Sequence, residues 1–269
     1  LRTNPTFALC QSKHPMKAGT ILKTLPAARR SGAKQIAVLV DPDKTTARAA
    51  HALAGQAAAA GIDYLMVGGS LIVDGQFDNC VEGLKAGGQV PVVLFPGDTF
   101  QISDQADAIL LLSLISGRNP ELLIGRHVIA APALRRSGLE ILPTGYMLID
   151  GGAPTSVSYM SNTMPIPADK PDIAMCTAMA GEMLGLRARY LDAGSGAARP
   201  VLPAMIEAVR AVTELPLIVG GGLRSVDAAI AALDAGADVI VTGTAIENDP
   251  GWIFDLGAQV RSRFPAAAV

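Results

Sequence analysis

The sequence predicts a (β/α)8 barrel, an α/β TIM-barrel fold, on three observations. Eight short apolar runs rich in β-branched residues recur along the chain, and stretches long enough for a helix separate most of them. The length of 269 residues suits one such barrel, which takes roughly 250 residues. The runs are QIAVLV (35–40), DYLMVGG (63–69), PVVLFPG (91–97), AILLLSL (108–114), ILPTGYMLID (141–150), ARYLDAG (188–194), PLIVGGG (216–222) and DVIVTGT (238–244). Near-continuous apolar strands are those buried on both faces, and parallel neighbours need long crossover connections. Helical patterns fit 45–60, 120–136, 170–186, 201–213 and 225–235. The interval 97–107 is too short and polar for a full helix, so the third helix is expected to be irregular or missing. An open doubly wound sheet is the alternative. The expected unit is a single TIM-barrel domain over residues 1–269, with 1–15 a disordered or extraneous end.

Composition narrows the function classes. Half of the residues are hydrophobic but only 4% are aromatic, so Ala, Val, Leu and Ile must fill the core. A net charge of -2 argues against the broad basic footprint of a nucleic-acid binder and leaves room for a local anion site. Cys10, Cys80 and Cys176 are widely spaced, without a CxxC pair, which fits reduced thiols rather than zinc ligands. No run reaches the ~18 apolar residues of a transmembrane segment, and the first thirty residues lack a signal-peptide core. A soluble, cytoplasmic protein is expected.

Taken in order, the strands deliver chemistry at their C-terminal ends, where such barrels carry their active sites. Strand one runs into DPDK (41–44). Asp41 there is either a ligand for Mg²⁺, which takes carboxylate and phosphate oxygen, or, like Asp43, a cap for the helix beginning near Thr45. Strand two ends in GGS, and its Ser70 would stand beside Asp41. Tyr146, near the end of strand five, reads as core or as part of a subunit contact. In strand six Tyr190 and Asp192 are two apart, so their side chains leave on the same side. Asp192 could take a proton from an attacking hydroxyl while Gly194, Ser195 and Gly196 present donors. The competing reading is an Asx turn with Tyr190 as packing. Strands seven and eight end in VGGGLRS and TGTAIE. Their residues Gly221, Gly222, Gly243 and Thr244 suit a backbone cradle for phosphate as well as tight βα turns.

Nine segments in this order, LVDPDK, VGGS, VVLFPG, LLSLISGRNP, PTGYMLIDGG, SVSYMSNT, YLDAGSGA, VGGGLRS and ADVIVTGTAIE, resemble the geranylgeranylglyceryl phosphate synthase family, which includes the bacterial heptaprenylglyceryl phosphate synthases. The resemblance runs from about residue 35 to 250. ISGRNP and SVSYMSNT are similar to the longer subgroup, whereas the compact heptaprenyl branch carries Lys where this chain has Leu39. It implies a Mg²⁺-dependent prenyltransferase joining a prenyl diphosphate, with geranylgeranyl diphosphate expected from the subgroup, to the C3 hydroxyl of sn-glycerol 1-phosphate. By that resemblance Asp41 and Ser70 hold the metal, and Tyr190, Leu191, Asp192, Ala193, Gly194, Ser195 and Gly196 hold the glycerol phosphate. Asp192 is then the base, Tyr190 orients the acceptor, and Leu94, Phe95, Pro96, Leu114 and Ile115 are candidates to line a groove for the tail. A homo-oligomer, dimer or hexamer, and transient contact with a membrane surface for product release are also implied. Two positions depart from the family pattern: Asp192 replaces the usual Glu and Thr244 the usual Asn.

Two other classes stay open on the residues alone. A phosphate-binding aldolase or isomerase would want Lys or His at a strand end, but Lys44 lies beyond DPD, and His14, His51 and His127 lie outside the strand ends. A non-catalytic barrel that binds a prenyl phosphate is the other.

Overall fold

The structure, a computed structural model, describes residues 20–265. Helix α1 (Ile21–Arg30) precedes a closed barrel whose eight parallel strands neighbour one another in chain order. They are β1 (Gln35–Val40), β2 (Tyr64–Val67), β3 (Val92–Leu94), β4 (Ala108–Leu114), β5 (Glu140–Leu148), β6 (Ala188–Asp192), β7 (Leu217–Gly220) and β8 (Val239–Thr242). The connecting helices are α2 (Ala47–Ala59), α3 (Phe77–Gly87), α4 (Arg126–Ser137), α5 (Ser156–Ser161), α6 (Pro171–Met183), α7 (Pro203–Arg210), α8 (Val226–Asp234) and α9 (Thr244–Asn248). Helix α10 (Trp252–Arg263) closes the described chain. The predicted end at 1–15, with Cys10 and His14, lies outside the described residues.

Strand alternation sorts the apolar residues into two cores. One fills the barrel interior with residues such as Ala37, Met66, Val93, Leu110, Tyr190 and Val241, and the other packs Ile36, Leu65, Val92, Leu191 and Val219 against the helices. Below the interior core, α1 plugs the barrel with Ile21 and Leu25. The buried Glu140 carboxylate accepts from the first N–H groups of α1, at 3.0 Å from Ile21 and 2.7 Å from Leu22, the helix end that favours negative charge. Three aspartates repeat one device at the barrel floor. Asp63, Asp107 and Asp238 each stand just before a strand and accept the N–H of Ile36, Val92 or Leu217 at the start of the preceding one.

The alanine-rich 45–60 stretch is helix α2, capped by Thr46, whose hydroxyl accepts from the Ala49 N–H. Neither Asp41 nor Asp43 is that cap. Asp43 instead ties down the loop after β2, accepting from Val73 and Asp74 N–H groups at 2.9 and 3.0 Å. The small residues matter because α2 and α3 nearly touch. A Cβ on Gly83 or Gly87 would come within 2.4 and 2.2 Å of the α2 backbone.

As expected, no helix follows β3. The β3–β4 ladder has only two paired positions, Val93 with Ala108 and Leu94 with Ile109, whereas β4 pairs with β5 along its whole length. Above Ile109 the barrel wall is therefore split. Side chains take over the backbone groups that a longer ladder and a helix would have satisfied. Gln101 donates to the Gly69 carbonyl at 2.8 Å and accepts from Gly69 and Gly97 N–H groups, and His127 Nε2 lies 2.8 Å from the Leu112 carbonyl. The helix expected over 120–136 begins as a π-helical turn, Glu121–Gly125, before α4.

Candidate active site

At the C-terminal mouth of the barrel lies a cavity of about 370 Å³. Its walls bring together Asp41 and Ser70 from the ends of β1 and β2, Tyr190 and Asp192 from β6 with Ser195 and Gly196 after it, Gly221 and Gly222 after β7, and Gly243 and Thr244 after β8. Ten of the residues singled out from the sequence thus meet in one space. Leu191, Ala193 and Gly194 do not face it. Alternation turns Leu191 outward into the helix-facing core, the Ala193 N–H is bonded to the Gly220 carbonyl, and the Gly194 N–H to Asp192.

Asp192 is the electrostatic centre of the cavity. It is 6% exposed, its Oδ2 accepts from Tyr146 Oη at 2.5 Å, and its Oδ1 accepts from the Gly194 N–H at 2.7 Å. Burial raises its pKa above the ordinary carboxylate value, and those two hydrogen bonds hold the rise back. The same burial, with the nearby carboxylate, pushes the Tyr146 and Tyr190 phenols well up, so both keep their protons. Room for Asp192 is made across the strand boundary. Gly221 adopts φ +79°, and a Cβ there would lie 2.5 Å from Asp192 Oδ1, so only glycine fits.

Sequence reasoning placed Tyr146 in the core or at a subunit contact; it is the hydrogen-bond donor to the carboxylate. The β5–β6 register explains this, since Tyr146 pairs with Tyr190 and Leu148 with Asp192, which puts all four on the interior face. Phe95 stacks on Tyr190 with centroids 5.2 Å apart, and Tyr146 stands 5.4 Å from Tyr190. Three rings thereby form one wall. Lys44, Arg224 and Glu247 also line the cavity. Lys44 Nζ sits 3.2 Å from Asp41 and 3.1 Å from Glu247, and Arg224 ties the loop after β6 by donating to the Ala197 carbonyl at 2.7 Å. The basic residue in VGGGLRS was the available signal for Arg224.

An apolar groove opens beside this cavity, through the split between β3 and β4. Gly69, Ser70, Phe95 and Tyr146 border both spaces. From there the groove passes inward-facing Leu110 and Leu114 and outward-facing Ile109 and Leu111 to Ala130 and Leu134 of α4. Of the tail-lining candidates, Phe95, Pro96 and Leu114 are in its wall, but Leu94 and Ile115 are not. Both point outward by alternation, Leu94 into the helix-facing core and Ile115 toward Gly145 and Gly181.

Among the described residues no group of three or more His, Cys, Asp or Glu could by itself hold a metal ion. A site built on Asp41 and Ser70 has one carboxylate and one hydroxyl. That sparse donor set fits Mg²⁺, which keeps waters and takes substrate phosphate oxygens.

The family model described as the PcrB family matches residues 31–259. A geranylgeranylglyceryl phosphate synthase from Chitinophaga pinensis is 53% identical over 237 residues, covering 88% of this chain and 94% of that protein. The corresponding synthase from Spirosoma linguale is 55% identical over 231 residues, 86% of this chain and 93% of the relative. The crystal structure of (S)-3-O-geranylgeranylglyceryl phosphate synthase from Thermoplasma acidophilum in complex with its substrate sn-glycerol-1-phosphate superposes with a TM-score of 0.85 at 33% identity, covering 90% of this chain and 99% of that one.

Proposed function

Since the chain belongs to the PcrB family, we propose that it is a geranylgeranylglyceryl phosphate synthase, a prenyltransferase that joins geranylgeranyl diphosphate to the C3 hydroxyl of sn-glycerol 1-phosphate. The observation that carries this reading is the junction of a polar, glycine-lined cavity with an apolar groove at the three-ring wall. One substrate is small and anionic, the other a long hydrocarbon ending in an anion. Two spaces of opposite character meeting at one carboxylate suit that pair.

The phosphate of the glycerol substrate rests on Gly221, Gly222, Gly243 and Thr244, with Ser195 and Gly196 across from them. The first N–H groups of α9, at Thr244, have no intrahelical carbonyl to bond and are free for an anion. The prenyl tail lies in the split wall, where each buried methylene is worth about 0.8 kcal/mol. Asp41 and Ser70 would hold Mg²⁺, which supplies charge neutralisation for the departing diphosphate. As the allylic C–O bond to diphosphate breaks, its electron pair leaves with the diphosphate. Phe95, Tyr146 and Tyr190 line the cavity and would place aromatic electron density near the positive charge that develops on the allyl group. The glycerol oxygen forms the new C–O bond, and Asp192 takes its proton. Tyr190 orients the acceptor, and Tyr146 holds the carboxylate. A buried carboxylate with a raised pKa is a better base near neutral pH than an ordinary one.

The shorter Asp in place of Glu is accommodated by its surroundings, because Tyr146 and Gly194 reach the carboxylate where it stands. No helix among the described residues is long and apolar enough to cross a membrane; a cytoplasmic enzyme that meets lipid at its surface is what we expect. A dimer or hexamer is the assembly we expect, through the apolar flank of α4 and α6, where Val128, Ile129, Met183 and Leu184 are exposed.

The test is direct. Protein, Mg²⁺, sn-glycerol 1-phosphate and labelled geranylgeranyl diphosphate should give an organic-extractable product, and sn-glycerol 3-phosphate should give far less. Absence of product under all acceptors would refute the assignment.

A further inference from the structure

Most of the exposed large apolar residues among the described residues fall into two groups of different shape, with Ile173, Leu202 and Phe254 in neither. One is a helical strip on the flank of the barrel, Ile124, Val128 and Ile129 with Met183 and Leu184. The other sits on loop tips around the groove mouth: Leu71 and Val73 after β2, Phe100 after β3, and Tyr159, Met160 and Met164 on and after α5. Val73, Phe100, Tyr159 and Met164 are 72%, 88%, 85% and 86% exposed, and their grouping on neighbouring loops, rather than the exposure of any one, is what marks a surface. The loops belong together. Gln101, next to Phe100, is hydrogen-bonded to both groups of Gly69. A Cβ on Gly97 would lie 2.2 Å from the Gly69 carbonyl. Met160 lines the same groove as Ser70 and Gly97.

We propose that these loop tips seat on the surface of a lipid bilayer, so that the groove opens into hydrocarbon rather than water. The proposal rests on the groove being the prenyl site. The product keeps its long apolar chain after diphosphate leaves, so passage from groove to water would expose the whole chain, whereas passage into a bilayer exposes none. Side chains standing singly on three loops suit insertion between headgroups, while the flat flank strip suits a second protein surface. The rim segments 69–75, 96–104 and 156–164 contain no Lys or Arg and carry Asp74, Asp98 and Asp104, and Arg126 of α4 is the single Lys or Arg among the residues lining the groove. Binding is therefore by apolar insertion, independent of anionic lipid and insensitive to salt, unlike polybasic recruitment.

The experiment is flotation with phosphatidylcholine vesicles at 0.1 and 0.5 M salt, where the Debye length is about 10 and about 4 Å. A rim variant, Phe100→Ser with Tyr159→Ser and Met164→Ser, is compared with a flank variant, Val128→Ser with Ile129→Ser and Met183→Ser. The wild type should float at both salt concentrations, the flank variant likewise, and the rim variant should bind at least about tenfold more weakly. Thermal unfolding of the rim variant should match the wild type, since the replaced groups are exposed. On geranyl diphosphate in solution, where no membrane is needed, it should also match the wild type in rate. A wild type that does not float, a rim variant that floats unchanged, binding that requires anionic lipid, or a rim variant whose defect is a changed oligomeric state would each overturn the proposal. Failure of the wild type to turn over any prenyl diphosphate would instead strike the functional reading, and flotation would report on the surface regardless.

Discussion

The two halves of the barrel mouth are built on opposite principles. Over β6 to β8 the wall is continuous, the turns are glycine-tight, and every group on the buried carboxylate is fixed by the backbone or a buried phenol. Over β3 and β4 the ladder stops after two positions, no helix covers the gap, and single side chains hold the loops. On the proposed function, rigidity collects where a proton would move at a defined distance, and openness where a flexible chain would slide in and out.

The first way to break this contrast is to remove the charge from the rigid half. Asp192→Asn should lower kcat by roughly 10³, within the 10²–10⁴ range of general-base catalysis, measured in single turnovers so that product release does not mask the chemistry. The same variant should be more heat-stable at neutral pH. Because burial raises the folded-state pKa of Asp192 above its ordinary 3.8, folding is favoured when the group is protonated. That stability is fully present below the unfolded value and is lost as pH rises through the folded one. The gain from the amide should accordingly shrink as pH falls toward 3.8. For wild-type activity the sign is reversed. The acid limb of kcat against pH should report a group titrating above the ordinary carboxylate value, and the limb should be absent in the variant's residual rate.

In the open half the largest effect should come from Gln101, which makes three hydrogen bonds to the backbones of Gly69 and Gly97. Gln101→Ala leaves those groups without their partner and should cost about 2–3 kcal/mol, at roughly 1 kcal/mol each, seen in urea unfolding. Its kinetic signature should be confined to the prenyl substrate, with the KM for glycerol phosphate unchanged. Equal damage to both KM values would mean that the two halves are mechanically coupled. Smaller still is Ala130→Trp, which fills the groove between α4 and β4. Displacing one or two methylenes of the tail should raise KM for geranylgeranyl diphosphate roughly tenfold and leave geranyl diphosphate nearly untouched.

The contrast also accounts for what could be read from the sequence. All eight strands were legible because burial on both faces leaves uninterrupted runs such as QIAVLV and AILLLSL. The gap after β3 was legible because GDTFQISDQAD has neither the length nor the period of a helix. Asp41, Ser70, Asp192 and the paired glycines could be gathered at one mouth because every strand of a parallel barrel ends on the same side. Tyr146 was not legible as a site residue. Its role depends on its register with Asp192, and register between strands forty residues apart leaves no mark in either segment. Nor could the groove wall be chosen correctly. Leu94 and Phe95 look alike as apolar residues, and only the pleat decides that Phe95 turns inward. Helix α3 is rich in polar residues and carries Gly83 and Gly87, which earn their place through contact with α2 rather than through helix propensity.

At the boundary between the two halves stands Lys44, shared by Asp41 and Glu247. An ammonium 3.2 Å from the carboxylate competes with any divalent cation for the same oxygen. If Asp41 holds the cation as proposed, the lysine would yield that carboxylate on binding, with Glu247 as a second partner to retain. Both hydrogen-bonded carboxylates raise the lysine's pKa, Glu247 the more strongly, so it stays charged near neutral pH. Lys44→Met should therefore tighten binding of Mn²⁺, followed by its electron paramagnetic resonance signal in the absence of substrate. The lysine is 59% and the aspartate 31% exposed, and solvent-screened pairs are worth about 0–1 kcal/mol, so the change should be at most about fivefold, the smallest effect considered. Glu247→Gln leaves Lys44 with Asp41 alone and should weaken Mn²⁺ binding, an effect that should vanish when combined with Lys44→Met. If the Glu247 effect persists in the double variant, Glu247 acts on the cation directly and the lysine is not the intermediary.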